Sequence, residues 1–232
     1  MNTVIFKNLG IVDFKKAWDY QESLLNLLIE RKRKEGKKDF AHAGYLLFCQ
    51  HPHVYTLGKS GKESNLLLNQ RELSKKKVSF YKINRGGDIT YHGPGQLVVY
   101  PILDLDFFFT DIHKYLRYLE DVVINVLLSY GVSGERLNGS TGVWVGVKSG
   151  APKKICAMGV RASRWVTMHG IAFNVSVDLD YFGGIVPCGI VDKGVTSLEK
   201  ETSKKVDFKG LELRFERAFV DRFNVELINV AV

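Results

Sequence analysis

The order of apolar patterns restricts the fold of this chain more than any other feature: helical patterning near each end, with short strands gathered between. From Phe14 to about Lys34, the residues Trp18, Leu24, Leu25, Leu28 and Ile29 fall close to a 3.6-residue stripe, and Gly36 stops it. A second amphipathic helix is expected from Ile112 to Tyr130, with Leu116, Leu119, Val123, Val126 and Leu127 on its apolar face and Gly131 behind it. A last one is expected from about Lys209 to Phe223. Between them GYLLFCQ (44–50), VSFYKINR (78–85) and LVVYPILDL (97–105) read as strands. TGVWVGV (141–147), KKICAMGVRAS (153–163) and VTMHGIAFNVSVDL (166–179) read the same way. HPHVYTLGKSGKESNLLL (51–68) reads as a long polar connection. There is no βαβ alternation and no G-x-G-x-x-G spacing. The expectation is one α+β domain over 1–232, with a mixed or antiparallel sheet flanked by helices.

A length of 232 residues suits one core of this kind. No apolar run approaches a membrane span. The first twenty residues lack the basic, apolar and cleavage-site order of a secretory signal. Three cysteines, Cys49, Cys156 and Cys188, without any C-x-x-C, argue against a disulfide framework or a structural zinc site. A reducing cytoplasm, with no metal and no cofactor, is therefore expected. The net charge of +8 favours an acidic partner. The runs RKRKEGKK (31–38) and SKKK (74–77) come without any nucleic-acid-binding motif, so an acidic carrier protein explains the charge as well as nucleic acid does.

Three stretches offer chemistry. RGGDITYHGPGQ (85–96) holds four glycines and a proline within twelve residues, more constraint than a hairpin needs, and lets backbone approach a ligand. Arg85 and His92 supply polar groups there. If KKICAMGVR is a regular strand, Lys154, Cys156 and Met158 share one face, and the lysine is either an edge guard or aimed into a site. Cys49 and Cys156 lie in apolar strands and read as small core residues. Cys188 sits in GGIVPCGIVDKGVTS (183–197) among glycines and a proline: either a turn happens to contain it, as an inert lone cysteine, or the turn presents a thiol. To make it a thiolate at neutral pH requires lowering its pKa by about 1.5 units, roughly 2 kcal/mol. A nearby ammonium can supply this, and Lys154, His92 and His169 are candidates that spacing alone does not separate. For His169, support of a loop is the favoured role.

RGGDITYHGPGQ, KICAMGVR, TMHGIAFNVSVDL, and IVPCGI followed by VTSLE occur in the order and character of the octanoyltransferase family, which resembles the lipoate and biotin ligase catalytic folds. HPHVYTLGK (51–59) is similar to that family's early block. The likeness spans about residues 40 to 200, and the basic segment 31–40 looks longer than is usual there. The resemblance implies octanoyl transfer from acyl carrier protein to a lysine of lipoyl domains, in 2-oxo acid dehydrogenases and the glycine-cleavage H protein. It implies that Cys188 is the nucleophile and that Lys154 lowers its pKa and shuttles protons. It also implies that Arg85, Gly86, Gly87, Asp88, Ile89, Thr90, Tyr91 and His92 line the acyl pocket, with Ala157, Met158, Gly159, Gly170, Ile171 and Ala172. The alternatives are an ATP-dependent lipoate- or biotin-type ligase, an acyl-thioester hydrolase, and a non-catalytic module that binds acyl carrier protein or nucleic acid.

Overall fold

A computed structural model describes residues 1–35, 42–186 and 194–229. Cys188 and residues 36–40 of the basic segment lie outside the described residues. The first half of the chain runs β1 (Asn2–Ile11), α1 (Phe14–Glu35), β2 (Gly44–Gln50), β3 (Val54–Leu57), α2 (Gln70–Lys75), β4 (Ser79–Lys82), β5 (Ile89–His92), β6 (Gln96–Leu103) and α3 (Ile112–Leu128). The second half runs β7 (Glu135–Leu137), β8 (Ser140–Val145), β9 (Lys153–Ser163), β10 (Val166–Asn174), β11 (Gly194–Val195), α4 (Leu198–Thr202), α5 (Phe208–Phe223) and β12 (Val225–Asn229).

Among the described residues nine strands form one sheet in the order β12-β1-β2-β6-β10-β9-β8-β7, with β11 added to β9. β1 pairs in parallel with β12 and β2, and β11 in parallel with β9. The other pairs are antiparallel, so the sheet is mixed, within an α+β arrangement. A second sheet, β4-β3-β5, packs a smaller core of Tyr55, Leu73, Ile89, Tyr91 and Phe182.

The central strands read as unbroken apolar runs because both their faces are covered. Tyr45, Leu47, Cys49, Val98 and Tyr100 pack against Leu24, Leu25 and Leu28 of α1. Leu46, Phe48, Leu97 and Val99 face the other way, onto Leu119, Val123 and Leu127 of α3 and Phe215 and Phe219 of α5. Asp111 caps α3 by accepting from Lys114 N at 2.9 Å.

Two sequence expectations are corrected. The described chain begins and ends on strands, not helices: Val4 pairs with Gly44 on one side and Leu227 on the other. The supposed polar connection 51–68 contains β3, buried along its whole length. Both corrections concern pairing between distant segments, which leaves no local turn signal.

Candidate active site

The glycine-rich string begins as a loop locked to two neighbours. Gly58 N donates to Asp88 O (3.3 Å), Lys59 N to Arg85 O (2.9 Å) and Ser60 N to Gly87 O (3.2 Å), while Gly86 N donates to Val160 O of β9 (2.9 Å). Glycine is needed where these segments meet. A Cβ on Gly58 would lie 2.3 Å from Gly87 O, and one on Gly159 would lie 2.7 Å from Gly86 O. Gly87 adopts φ +85°, which an L side chain resists. The Arg85 guanidinium, buried beneath the loop, donates from Nη2 to Thr56 O (2.7 Å) and Thr56 Oγ1 (3.0 Å), and from Nη1 to Gly86 O (3.0 Å).

This loop, β5, β9 and β10 enclose a cavity of about 550 Å³. Its wall includes Arg85, Gly86, Gly87, Asp88, Ile89, Thr90 and His92, then Lys154, Ala157, Met158 and Gly159, then Gly170, Ile171 and Ala172. The two strand contributions meet by register, since Ala172 pairs with Ala157 and Gly170 with Gly159. Tyr91 is not on the wall. Its ring stacks on Tyr181 (centroids 5.0 Å apart) and its hydroxyl lies 2.7 Å from His53 Nδ1. Cys188 lies outside the described residues, two positions after Val186 and six before Gly194. Both flanks are tied down: Val186 N donates to Asn65 O at 2.8 Å, and β11 pairs Gly194 with Lys153 and Val195 with Lys154.

Lys154 reaches the wall through a β-bulge. Val143 pairs with Cys156 but Trp144 pairs with Lys154, so Ile155 is an extra residue on β9. The bulge breaks the two-residue alternation. Ile155 and Cys156 therefore both enter the core under α3, and Lys154 leaves the face it would share with Cys156 in a regular strand. Lys154 Nζ stands 4.6 Å over the Trp144 ring. Burial pushes the Cys156 and Cys49 thiols far up, so neither serves as a nucleophile at neutral pH. Glu120 of α3 braces the β8 side of the cavity. It is fully buried and accepts from Arg117 (2.6 Å), Arg136 (2.8 Å) and Gly142 N (3.0 Å).

Both candidate histidines line the cavity as neutral rings. Burial, then the His51 ring and the Arg85 guanidinium, pull His92 down to about 3. Burial, then Arg85 and Arg161, do the same to His169, also to about 3. His169 adopts φ +59° with its N–H held by Gln21 Oε1 (2.9 Å) and its Nε2 2.9 Å from Asn84 Oδ1. Sequence reasoning did not place Phe14, Ser60, Val98, Tyr100, Ile112 or Thr141 on the wall. Nothing local marks them; Phe14 and Ile112 are simply the first residues of α1 and α3.

Ile89, Val98, Met158, Ile171 and Leu116 make much of this wall apolar, while Arg85, Lys154 and the histidines give it a few directed polar groups. That combination fits a ligand with an apolar chain and a polar end. Among the described residues no cluster of His, Cys, Asp and Glu could hold a metal, and no helix is long and apolar enough to cross a membrane.

Residues 13–220 match the family model for the lipoyl protein ligase A/B catalytic domain. Among curated relatives, the octanoyltransferase of Christiangramia forsetii is 56% identical, covering 95% of this chain and 96% of its own. The octanoyltransferase of Flavobacterium johnsoniae is 55% identical over 96% and 97% of the two chains, and that of Bacteroides thetaiotaomicron 46% identical over 93% of each. Solved structures similar in fold include a bipartite lipoate protein ligase from Thermoplasma acidophilum, at TM-score 0.72, 17% identity and 100% and 88% coverage. A lipoate-protein ligase A bound with ATP aligns at TM-score 0.69, 17% identity and the same 100% and 88% coverage.

Proposed function

The chain belongs to the octanoyltransferase family, and from that premise we propose that it takes an octanoyl group from octanoyl-acyl carrier protein and passes it to a specific lysine of lipoyl domains through a thioester on Cys188. It is an acyltransferase of protein lipoylation. The acceptors are proposed to be the lipoyl domains of 2-oxo acid dehydrogenase complexes and the glycine-cleavage H protein. The observation that supports this reading best is the gathering of Lys154, the glycine-rich loop and the Ala157–Gly159 and Gly170–Ala172 strand segments on one largely apolar cavity.

The chemistry follows from the groups present. The Cys188 thiolate attacks the carbonyl of the carrier thioester. A tetrahedral oxyanion forms and collapses, the bond to the carrier sulfur breaks, and the carrier leaves as a thiolate that takes up a proton. One thioester replaces another, so this step is close to even. A neutral acceptor lysine then attacks the acyl-enzyme, an amide forms, and the Cys188 sulfur is expelled. Lys154 or a water takes the amine's proton. Thioester to amide is downhill, so ATP is not consumed. Two transfers through one sulfur give ping-pong kinetics. Each oxyanion needs preorganised donors, and backbone N–H groups of the loop are candidates. An octanoyl tail in the cavity gains about 5 kcal/mol at ~0.8 kcal/mol per buried methylene. The net charge of +8 favours acidic protein partners.

Intact-protein mass spectrometry after mixing with octanoyl-acyl carrier protein, without ATP, tests the proposal. Wild type is expected to carry a hydroxylamine-labile octanoyl adduct that disappears when a lipoyl domain is added. Cys188→Ser gives no such labile adduct, and Lys154→Ala forms it about 10²- to 10⁴-fold more slowly. Activity that appears only with ATP and free octanoate, and survives Cys188→Ala, overturns the reading in favour of a ligase.

A further inference from the structure

A continuous chain of buried polar groups runs behind the cavity and ends on the backbone of Lys154. Arg85 Nη2 donates to Thr56 Oγ1 (3.0 Å), and Thr56 Oγ1 lies 3.4 Å from His92 Nε2. His92 Nδ1 lies 2.8 Å from Gln96 Oε1. Gln96 Nε2 donates to Asn174 Oδ1 (2.9 Å) and Tyr91 O (3.1 Å). Asn174 Nδ2 donates to Thr196 O (3.0 Å), and Thr196 N donates to Lys154 O (3.0 Å). Thr56, Arg85, His92, Gln96, Asn174 and Thr196 are all buried. The path crosses from the small sheet through β6 and β10 to the end of β11.

The two amide orientations follow from two backbone carbonyls, Thr196 O and Tyr91 O. The Thr196 carbonyl only accepts, so the Asn174 amide nitrogen must face it and the Asn174 oxygen must face Gln96. Gln96 then has to donate to Asn174 and Tyr91, which leaves its oxygen toward His92. His92 must therefore carry its proton on Nδ1, with Nε2 left as an acceptor beside Thr56. Apolar side chains here would take these donors from Tyr91 O and Thr196 O, and the directional hydrogen bonds also fix geometry.

We propose that Gln96 and Asn174 are positioning residues for acyl transfer: they hold His92 in its Nδ1–H tautomer and hold the strand end that fixes the backbone of Lys154. This rests on the acyl-transfer reading above. Neither residue lines the cavity, so both act through others.

Asn174→Asp is the direct test, because an ionised carboxylate cannot donate to Thr196 O. It is expected to lower kcat by about 10²-fold, the scale of a misplacement near 1 Å. KM for octanoyl-acyl carrier protein should stay within about twofold, since uniform binding is untouched. The new carboxylate still accepts from Gln96 Nε2, so His92 should keep its Nδ1–H tautomer in this variant, as imidazole ¹⁵N spectra report without any turnover. Gln96→Glu is the second variant. Its carboxylate keeps an acceptor toward Nδ1 but loses the donors, and it should draw His92 toward the doubly protonated ring. The other charged or titratable groups facing that ring are Arg85, His51 and His169, which oppose this charge. Wild-type kcat in folded Asn174→Asp, or an unchanged His92 spectrum in Gln96→Glu, overturns the proposal. Absence of octanoyl transfer by wild type is a different result and counts against the function itself.

Discussion

On the cavity wall, Gly86, Gly87, Gly159 and Gly170 present little but backbone, whereas directly behind it Thr56, Gln96, Asn174 and Thr196 fill the space with side-chain hydrogen bonds. The wall is made by close approach. A Cβ on Gly170 would lie 2.3 Å from Val99 O, and one on Gly159 2.7 Å from Gly86 O, so added atoms displace it. The backing layer is made by pairing donors with acceptors, so lost atoms leave orphans. Substitution therefore acts in opposite senses on the two layers: the wall is sensitive to gain and the backing to loss.

Among single substitutions, Gly159→Ala gives the largest expected break in that contrast. One methyl group would force Gly86 away from β9 and strain its bond to Val160 O. Overpacking of this kind costs about 1–3 kcal/mol. The loop's shift should also lower kcat/KM for the octanoyl donor by about 10²-fold. Denaturant midpoints and steady-state kinetics on one preparation measure both, and a variant with wild-type kinetics would show that the loop does not need its contact with β9.

A pH titration reaches the buried imidazoles, which belong to both layers. His92 and His169 are held at about 3, and His51, behind the wall and bonded to Tyr100, at about 4, burial being the first cause each time. In the unfolded chain a histidine titrates near 6.5. Below that pH the unfolded state binds more protons than the folded one. Stability is thus complete above about pH 6.5 and is lost as pH falls toward the folded values. Each ring contributes a slope of up to ~1.4 kcal/mol per pH unit in that window. Urea midpoints should be level near pH 7.5 and fall steeply by about pH 5. A level profile throughout would mean that the rings accept protons without leaving the fold.

How much of this was legible follows from where each signal resides. The glycine string, KICAMGVR and TMHGIA come together in space because β9 and β10 are adjacent hairpin strands and the loop is pinned to β9; the blocks were readable, and their meeting required register. Lys154 was readable as a candidate, but its direction was not. Period-two alternation puts it with Cys156, and the single extra residue Ile155 reverses that, a bulge no local residue announces. Val4 and Leu227 form a pair across nearly the whole chain, so the terminal strands leave no trace near either one. Gln96 stood at the end of a recognised string and Asn174 inside IAFNV, yet nothing in the sequence says that their amides meet at 2.9 Å.

Tyr91 is the finest test of the two-layer distinction, because it sits inside the string whose neighbours line the cavity. Ile89, Thr90 and His92 reach the wall, but the Tyr91 ring turns into the small core between Tyr55, Tyr181 and Phe182. Its hydroxyl meets His53 Nδ1 at 2.7 Å, and a Cβ on Gly93 would lie 2.0 Å from that oxygen, so only glycine at 93 leaves room for it. Tyr91→Phe keeps the stacking and deletes one hydrogen bond to a half-buried ring that water can reach. The expected loss is about 1 kcal/mol of stability with kcat unchanged. Urea midpoints and octanoyl-transfer rates on the same variant decide the matter. Should the rate fall tenfold while stability holds, the hydroxyl acts on the reaction through His53, and the boundary between wall and backing would have to be redrawn to include Tyr91.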